Sequence, residues 1–174
     1  MLELSAYRMT ANKDGKIKVL VLDDEADFLE LCQEFFGRDE DLDAVFVSSP
    51  DKALDILTSE DYQVVVSDHN LPGMDGLQFM HAMHSLNRIP FILITGHGRE
   101  GLAIDALING ADFYMEKAGS PKSMFEQLLR AIKAVGSSVR NVSECLPDPF
   151  QVFGPGGTLL ISNGGERVLA TASR

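Results

Sequence analysis

The chain alternates short apolar runs with segments of helical periodicity, and this alternation repeats five times between residues 17 and 136. The run IKVLVL at 17–22 is typical of a strand buried on both faces of a sheet. After it, apolar residues at Phe28, Leu31, Cys32 and Phe35 have the spacing of one helix face, and Gly37 is a stop signal. The same reasoning predicts strands at 17–22, 42–47, 62–67, 91–95 and 112–115, and helices at 27–36, 51–60, 76–87, 100–109 and from 121 onward.

Strands that alternate regularly with helices form a parallel sheet with right-handed crossovers and helices on both faces. The sequence therefore predicts an α/β fold, a doubly wound (βα)5 domain with a five-stranded parallel sheet. In open sheets of this kind, ligands bind beyond the carboxyl ends of the strands. The residues that follow each strand are therefore the first places to look for function.

Charge and cysteine content exclude several classes of protein. The 174 residues carry a net charge of −11, and ten acidic side chains but only one basic one, Arg38, lie between Asp23 and Asp43. A nucleic-acid-binding surface needs the opposite sign, so the acidic cluster suggests a divalent cation, a basic partner or a solvated face. Cys32 and Cys145 are too few and too far apart for a disulfide scaffold or a CxxC metal site. No apolar run is long enough to span a bilayer and no signal peptide is evident, so we expect a cytoplasmic protein without a membrane segment.

Five polar residues stand at the predicted carboxyl ends of four strands. Asp23 and Asp24 follow the first strand, Asp68 follows the third, Thr95 ends the fourth and Lys117 follows the fifth. Three carboxylates at one edge repel each other unless a cation compensates them, and Mg²⁺ suits such oxygen ligands. A hydroxyl and an ammonium are suitable donors to phosphoryl oxygens, and an aspartate can be the nucleophile that forms an aspartyl phosphate.

These residues lie in motifs that resemble the receiver domain of two-component response regulators. The matching segments are Asp23-Asp24, VVVSDHNLPGMDG around Asp68, Thr95-Gly96, and Tyr114-Met115-Glu116-Lys117. They occur in the same order and spacing over residues 17–136. The resemblance implies a flavodoxin-like sheet with strand order 2-1-3-4-5. The stretches GHGREG and NGADFYMEKAGSP are similar to receivers common in archaeal signalling proteins.

The resemblance also implies how the site is built. Asp68 would be the phosphoacceptor, and Asp24 would bind Mg²⁺ directly beside it. Asp23 would act on the metal through water, and Asn70 would offer its backbone carbonyl. Pro72, Gly73 and Gly76 would shape the loop after Asp68.

Further roles follow from the same resemblance. Lys117 would pair with the phosphoryl group, Thr95 would be the switch hydroxyl and Tyr114 the aromatic side chain that responds to it. Asn70 and His97 occupy the positions that tune the lifetime of the phosphorylated state. The donor would be a sensor histidine kinase or a phosphotransfer protein. The fourth helix, fifth strand and fifth helix would form the face that changes on phosphorylation. A homodimer could form through that face.

One position departs from the family pattern. Most receivers have a proline after the lysine, with a cis peptide bond, but this chain has Ala118. A cis bond to alanine costs about 2.5–4 kcal/mol, so we expect a trans bond. Because of this departure, the protein could instead be a receiver-like docking module that is not phosphorylated.

The sequence is also compatible with other functions. A magnesium-dependent phosphatase with an aspartyl nucleophile is the enzyme alternative to a self-phosphorylating and self-dephosphorylating signalling domain. Such phosphatases use a second aspartate two residues after the nucleophile, where this chain has Asn70. Residues 96–101 match a dinucleotide-binding GxGxxG pattern, but that pattern belongs after the first strand. His81 and His84 have the spacing of a metal pair on a helix, or of two surface histidines.

The two ends of the chain differ from the middle. Residues 1–16 are polar and aperiodic and are predicted to form a loose arm. Residues 137–174 are predicted to be a linker and a partial segment, LPDPFQVFGPGGTLLISNGGERVL, that resembles the start of a PAS sensor domain. The chain would then be a fragment of a longer protein, such as a hybrid histidine kinase; the alternatives are a decayed remnant of a PAS domain and an unrelated hairpin.

Overall fold

A computed structural model of the chain describes residues 15–96 and 101–136, together with two strands at 151–153 and 159–162. Strands and helices alternate through the first two ranges, as the sequence predicts. The elements are β1 (Ile17–Leu22), α1 (Ala26–Phe36), β2 (Leu42–Val47), α2 (Pro50–Ser59), β3 (Val64–Asp68), α3 (Gly76–Leu86), β4 (Phe91–Thr95), α4 (Leu102–Ile108), β5 (Phe113–Glu116) and α5 (Pro121–Gly136).

The five strands form one parallel sheet in the order β2-β1-β3-β4-β5. This confirms the predicted doubly wound fold and its strand order. Every residue of β3 and β4 is buried, because both strands have neighbours on each side and helices on each face. The chain reverses its winding direction between β1 and β3, and the carboxyl ends of those strands flank the place where ligands bind in such folds.

Two element boundaries differ by two residues from the sequence prediction, and the others differ by at most one. The third strand begins at Val64 rather than at residue 62, and the side chain of Gln63 accepts a hydrogen bond from the Lys18 amide at 2.6 Å. Helix α4 is shorter than predicted and begins after Gly101, while residues 97–100, including His97, lie outside the described residues. Its end is set by Gly110, whose φ of 104° is accessible mainly to glycine.

The face of the sheet under α1 and α5 has an aromatic core. Phe125 of α5 is fully buried, and its ring lies 5.7 Å from that of Phe28, 4.5 Å from that of Phe35 and 6.4 Å from that of Phe36. These three residues share one side of α1 because Phe35 and Phe36 lie about two helical turns after Phe28. The predicted apolar stripes of the first and last helices therefore meet directly.

The opposite face, under α2, α3 and α4, is packed with more flexible side chains. Its fully buried residues include Phe79, Met80 and Met83 of α3, with Leu20 and Leu93 of the sheet. Methionine adapts its shape to irregular gaps more readily than an aromatic ring does. Tyr114 of β5 lies at the margin of this cluster and is half-buried.

The loop between β3 and α3 is tightly defined. Asp75 accepts a hydrogen bond from the Gln78 amide at 2.8 Å, and Gln78 accepts one from the Asp75 amide at 2.9 Å, which is a capping box. A Cβ atom at Gly76 would lie 2.5 Å from the carbonyl oxygen of Asp68, so only glycine fits there. Gly73 has a φ of 88°. The structure thus supplies physical reasons for both glycines in the predicted loop.

Two further strands, β6 (Gln151–Phe153) and β7 (Leu159–Ser162), pair in antiparallel fashion in a separate two-stranded sheet. They fall within the segment predicted to resemble a PAS domain. Most of the predicted N-terminal arm and the rest of residues 137–174 lie outside the described residues. Within the described part of the chain, no helix has the length and apolar character required to cross a membrane.

Candidate phosphoacceptor site

Buried polar side chains are concentrated at the carboxyl edge of the sheet. Among the described residues, the buried polar or charged ones are Asp23, Ser67, Asp68 and Thr95. Asp23 directly follows β1, Ser67 and Asp68 end β3, and Thr95 ends β4. Burying such groups is unfavourable unless they are paired, so their concentration at one edge marks this edge as a candidate site.

Lys117 joins two of these carboxylates. Its ammonium nitrogen lies 2.7 Å from Asp23 Oδ2 and 2.9 Å from Asp68 Oδ1, and the lysine side chain is only 9% exposed. The Lys117 backbone amide donates to the Thr95 carbonyl at 2.7 Å, which fixes the start of its loop against β4. The peptide bond to Ala118 is trans, as expected for a non-proline residue.

Local backbone contacts orient both carboxylates. Asp23 Oδ1 accepts a hydrogen bond from the Glu25 amide at 3.0 Å, and Asp68 Oδ2 accepts one from the Asn70 amide at 2.6 Å. Each carboxylate therefore uses one oxygen to hold its own loop and directs the other toward Lys117. The sheet brings these partners together across 94 residues of sequence, from Asp23 to Lys117.

The electrostatics of the site reflect this burial. Burial raises the pKa of Asp23 to about 6, against the lowering effect of Lys117 and the Glu25 amide. Burial alone would lower the pKa of Lys117, but the contacts with Asp23 and Asp68 outweigh it and raise that pKa above its usual value. The lysine is therefore a permanent cation at neutral pH.

The other predicted residues lie near the same edge with different degrees of exposure. Asp24 and Asn70 are exposed, next to the buried Asp23 and Asp68 respectively. Tyr114 is half-buried on β5, its hydroxyl lies 3.4 Å from Glu116 Oε1, and burial followed by the Glu116 charge raises the pKa of Tyr114 to about 12. His97 cannot be placed, since it lies outside the described residues.

The donor chemistry of this edge fits a hard divalent cation. Asp23, Asp24 and Asp68 offer only oxygen ligands, which Mg²⁺ prefers. Asp23 Oδ2 and Asp68 Oδ1 are buried and have no hydrogen bond of normal geometry to any described residue, although each is ion-paired with the Lys117 ammonium. No three His, Cys, Asp or Glu side chains of residues 15–96 and 101–136 converge on a metal position. The Lys117 ammonium lies within 3 Å of both buried carboxylates, and Asp24 is exposed.

Two residues near Lys117 were not predicted from the sequence as parts of the site. Glu25 Oε1 lies 3.3 Å from the Lys117 ammonium, and the Phe28 ring centroid lies 4.3 Å from it. Glu25 directly follows the two predicted aspartates, and this position could have indicated that it belongs to the site. Phe28 gave no such signal, because its helical spacing is fully explained by core packing.

The His81 and His84 pair has a structural explanation. His84 Nε2 lies 3.2 Å from the Ile89 carbonyl oxygen, and its ring packs edge-on against Phe91 at 6.4 Å. His81 is exposed on the same helix. These contacts tie the end of α3 to the start of β4, at the opposite end of the sheet from Asp68.

Comparison with known families agrees with this geometry. The model of the family described as "Response regulator receiver domain" matches residues 19–129, which include the buried aspartates, Thr95 and Lys117. The chain belongs to the response regulator receiver domain family. Receiver domains are signalling modules rather than classical enzymes, and they are the regulatory parts of two-component systems.

Two curated relatives show how this receiver domain compares with longer proteins. It is 32% identical over 124 residues to the C4-dicarboxylate transport transcriptional regulatory protein DctD of Pseudomonas aeruginosa. It is 29% identical over 119 residues to the transcriptional regulatory protein FlgR of Helicobacter pylori. The matches cover 69% and 68% of this chain but only 26% and 30% of those proteins.

Solved structures of receiver domains have the same fold. A response regulator receiver domain protein from Clostridium thermocellum aligns with a TM-score of 0.63 and 26% identity, over 71% of this chain and 97% of that one. A CheY-like receiver domain protein from Methanospirillum hungatei aligns with a TM-score of 0.61 and 19% identity, over 71% and 98% of the two chains. The similarity to the Methanospirillum hungatei structure shows a shared fold alone.

Proposed function

We propose that Asp68 accepts a phosphoryl group from a histidine kinase or a phosphotransfer protein. The observation that carries this proposal is the position of the Lys117 ammonium, 2.9 Å from a buried Asp68 oxygen at the carboxyl edge of the sheet. A carboxylate held beside a permanent cation is suited to become a phosphorylated group, whose added negative charge the same cation can neutralise. We expect this exchange to take place in the cytoplasm.

In the proposed step, a carboxylate oxygen of Asp68 attacks the phosphorus atom of a phosphohistidine on the donor. The new P–O bond forms as the P–N bond breaks, and the released imidazole nitrogen takes a proton from solvent. Lys117 pairs with the phosphoryl oxygens, and the hydroxyl of Thr95, on the adjoining strand β4, turns toward them. Asp23 remains ion-paired with Lys117 and keeps it from leaving the site.

We further propose that Asp23, Asp24, Asp68 and the main chain at Asn70 hold Mg²⁺. The ion, when bound, would supply positive charge to the transferred phosphoryl group. This assignment is supported by Asp23 Oδ2 and Asp68 Oδ1, which are buried and have no hydrogen bond of normal geometry to any described residue. Asp24, although exposed, is adjacent to Asp23 and can complete the oxygen ligand set.

The consequence of phosphorylation is proposed to be a change at the face formed by α4, β5 and α5. Ile108 of α4 is 78% exposed, which is high for an isoleucine, and Tyr114 is half-buried on β5, the strand against which α4 packs. The exposed Ile108 side chain is available to a partner or to a second copy of the chain. Size-exclusion chromatography with and without a phosphodonor tests whether this face forms a homodimer.

The test of the central proposal is the intact mass of the protein after incubation with Mg²⁺ and acetyl phosphate. Wild-type protein is expected to gain the mass of one phosphoryl group, and Asp68→Asn protein is expected to gain nothing. Asp41→Asn is the matched control, since Asp41 also lies 2.8 Å from a lysine but at the other end of the sheet. An undiminished adduct on the Asp68→Asn protein would overturn the assignment.

We also propose that residues 17–136 form the receiver domain and that residues 137–174 lead into a PAS-like segment of a longer protein, such as a hybrid histidine kinase. In support, a Cβ atom added at Gly136 would lie 2.8 Å from Ile17 Cγ2 and 2.9 Å from Val64 Cγ2, so the end of α5 is packed on the sheet. A chain that ends at Gly136 is expected to unfold at the same temperature as the full chain. A lower midpoint would place part of the domain after Gly136.

A further inference from the structure

The Lys117 ammonium lies against an aromatic ring as well as between carboxylates. Its nitrogen is 4.3 Å from the centroid of the Phe28 ring. A cation within about 6 Å of a ring face is attracted by the quadrupole of the ring, and more strongly where water is excluded. Water is largely excluded here, because Phe28 is 8% exposed and the lysine side chain is 9% exposed.

The Phe28 ring is itself held in place by the aromatic core. It stacks on Phe125 at 5.7 Å with an angle of 25° between the ring planes. Phe125 is fully buried and is also stacked on Phe35. A phenylalanine side chain has only two rotatable bonds, so this packing makes the ring a fixed wall beside a flexible lysine.

An exposed carboxylate contacts the same ammonium. Glu25 Oε1 lies 3.3 Å from the Lys117 nitrogen, and the Glu25 side chain is 67% exposed. Without a wall on the side of α1, the lysine would gain conformational freedom and could follow Glu25 toward solvent. The ring therefore favours the buried position between Asp23 and Asp68 over positions nearer to solvent.

We propose that Phe28 is a positioning residue for Lys117, which holds the ammonium where the phosphoryl group on Asp68 will be formed. The kinetic consequence rests on the proposed phosphoacceptor function, whereas the contact between ring and ammonium does not. Phe28 touches no reacting atom and acts only through the lysine.

Three variants separate positioning from core packing. Phe28→Leu keeps an apolar side chain but removes the ring face, and Phe28→Tyr keeps the ring face and should restore the wild-type behaviour. Phe35→Leu is the matched control, because it removes another ring that stacks on Phe125 from the same helix. Among the described residues, the cation over Phe35 is Arg38 rather than Lys117.

The first measurement is nuclear magnetic resonance of the Lys117 ε-methylene group in metal-free protein without a phosphodonor. Protons over a ring face resonate at unusually high field, so we expect this shift in wild type, Phe28→Tyr and Phe35→Leu but not in Phe28→Leu. The second measurement is the rate of phosphorylation by acetyl phosphate with Mg²⁺. Phe28→Leu should slow it about three- to tenfold, the effect of losing one desolvated cation–π contact, while Phe35→Leu should change it less than about twofold.

Each alternative result is decisive. An unchanged Lys117 resonance in Phe28→Leu would show that the ring does not hold the ammonium. A lost shift with an unchanged rate would overturn the positioning role while leaving the proposed function intact. Wild-type protein that shows the shift but gains no phosphoryl group would overturn the proposed function, and the positioning role with it.

Discussion

Lys117 and Lys133 each place one ammonium within 3 Å of two carboxylates, but at opposite ends of the sheet. Lys117 contacts Asp23 and Asp68 at 2.7 and 2.9 Å at the carboxyl ends of the strands. Lys133 of α5 contacts Asp39 and Asp41, both at 2.8 Å, beside the amino end of β2. The distances alone do not distinguish the two clusters.

Burial distinguishes them. The Lys117 side chain is 9% exposed and Asp23 and Asp68 are almost completely buried. Lys133 is 34% exposed, and its carboxylates are 19% exposed at Asp39 and 73% exposed at Asp41. Desolvation makes the first cluster costly to form, and the second is an ordinary surface tether between α5 and the loop before β2. A desolvated charged cluster at the place where ligands bind to this fold indicates a functional site. A solvent-exposed cluster elsewhere indicates only a contribution to stability.

The largest expected effect comes from removing each lysine in turn. Lys117→Ala should slow phosphorylation by roughly 100-fold, because the cation that faces the phosphoryl group is lost. It should also lower the free energy of unfolding by about 3 kcal/mol in metal-free buffer, since two buried carboxylates lose their counterion. Lys133→Ala should leave phosphorylation unchanged and cost less than about 1 kcal/mol.

Phosphodonor kinetics and urea unfolding of the two variants measure both effects. Equal losses in the two variants, in either quantity, would remove the distinction between the clusters.

The next effect concerns metal binding. Asp24→Ala should eliminate Mg²⁺ binding in isothermal titration calorimetry while the melting temperature stays the same or rises. The physical reason is that Asp23, Asp24 and Asp68 repel each other in the metal-free protein, and Asp24 is exposed, so its removal relieves repulsion at little cost in packing.

Asp41→Ala is the control from the other cluster and should leave Mg²⁺ binding intact. A strongly destabilised Asp24→Ala protein that still binds Mg²⁺ would contradict the prediction.

The fold was predictable because its signals are local or periodic. β1, β2 and β4 have the bounds predicted from their apolar runs. The start of β3 was predicted two residues early, because strand ends depend on partners: the side chain of Gln63 bonds to Lys18 from outside the strand, and nothing in residues 62–67 reveals this. The pair Ser49-Pro50 is typical of a helix start, and Ser49 occupies the capping position of α2, but its side chain makes no capping hydrogen bond within the described residues.

The candidate site was predictable only in part. Asp23, Asp68, Thr95 and Lys117 could be grouped because the carboxyl ends of parallel strands meet at one edge. The contact between Lys117 and Phe28 could not be predicted in this way, because it depends on the path of a long side chain over α1. The structure shows where the described side chains lie, but the roles assigned to the site residues stay predictions. These residues are Asp23, Asp24, Asp68, Asn70, Thr95, His97, Tyr114 and Lys117.

A smaller effect should separate residues that touch the phosphoryl group from residues that flank it. Asn70 and His97 are not carboxylates that could act as a base on an attacking water, so the phosphorylated state should last for minutes or longer. Substitutions at either position should change the decay rate by up to about tenfold without preventing phosphorylation. The measurement is the loss of the adduct with time after removal of the phosphodonor.

Lys133→Ala protein, altered only at the distant cluster, should decay at the wild-type rate. Unchanged decay in both the Asn70 and the His97 variants would show that water access is controlled by other residues.

The smallest expected effect is a pH dependence at the exposed cluster. The hydrogen bond from Lys133, followed by its charge, holds the pKa of Asp41 below the ordinary value of 3.8. A carboxyl group whose pKa is lower in the folded state stabilises the fold above its unfolded pKa, and this stabilisation is lost as the pH falls through the lower, folded value. Asp41→Asn should therefore be slightly less stable than wild type at neutral pH and indistinguishable from it in acid, below both pKa values. The difference at neutral pH should also disappear at high salt, because an exposed pair is screened.

Thermal unfolding of wild type and Asp41→Asn across pH and salt tests this prediction, with Glu40→Gln as a neighbouring exposed control. A difference that survives high salt would mean that the Lys133 cluster is more shielded from solvent than its exposure indicates, and the contrast with Lys117 would be smaller than proposed.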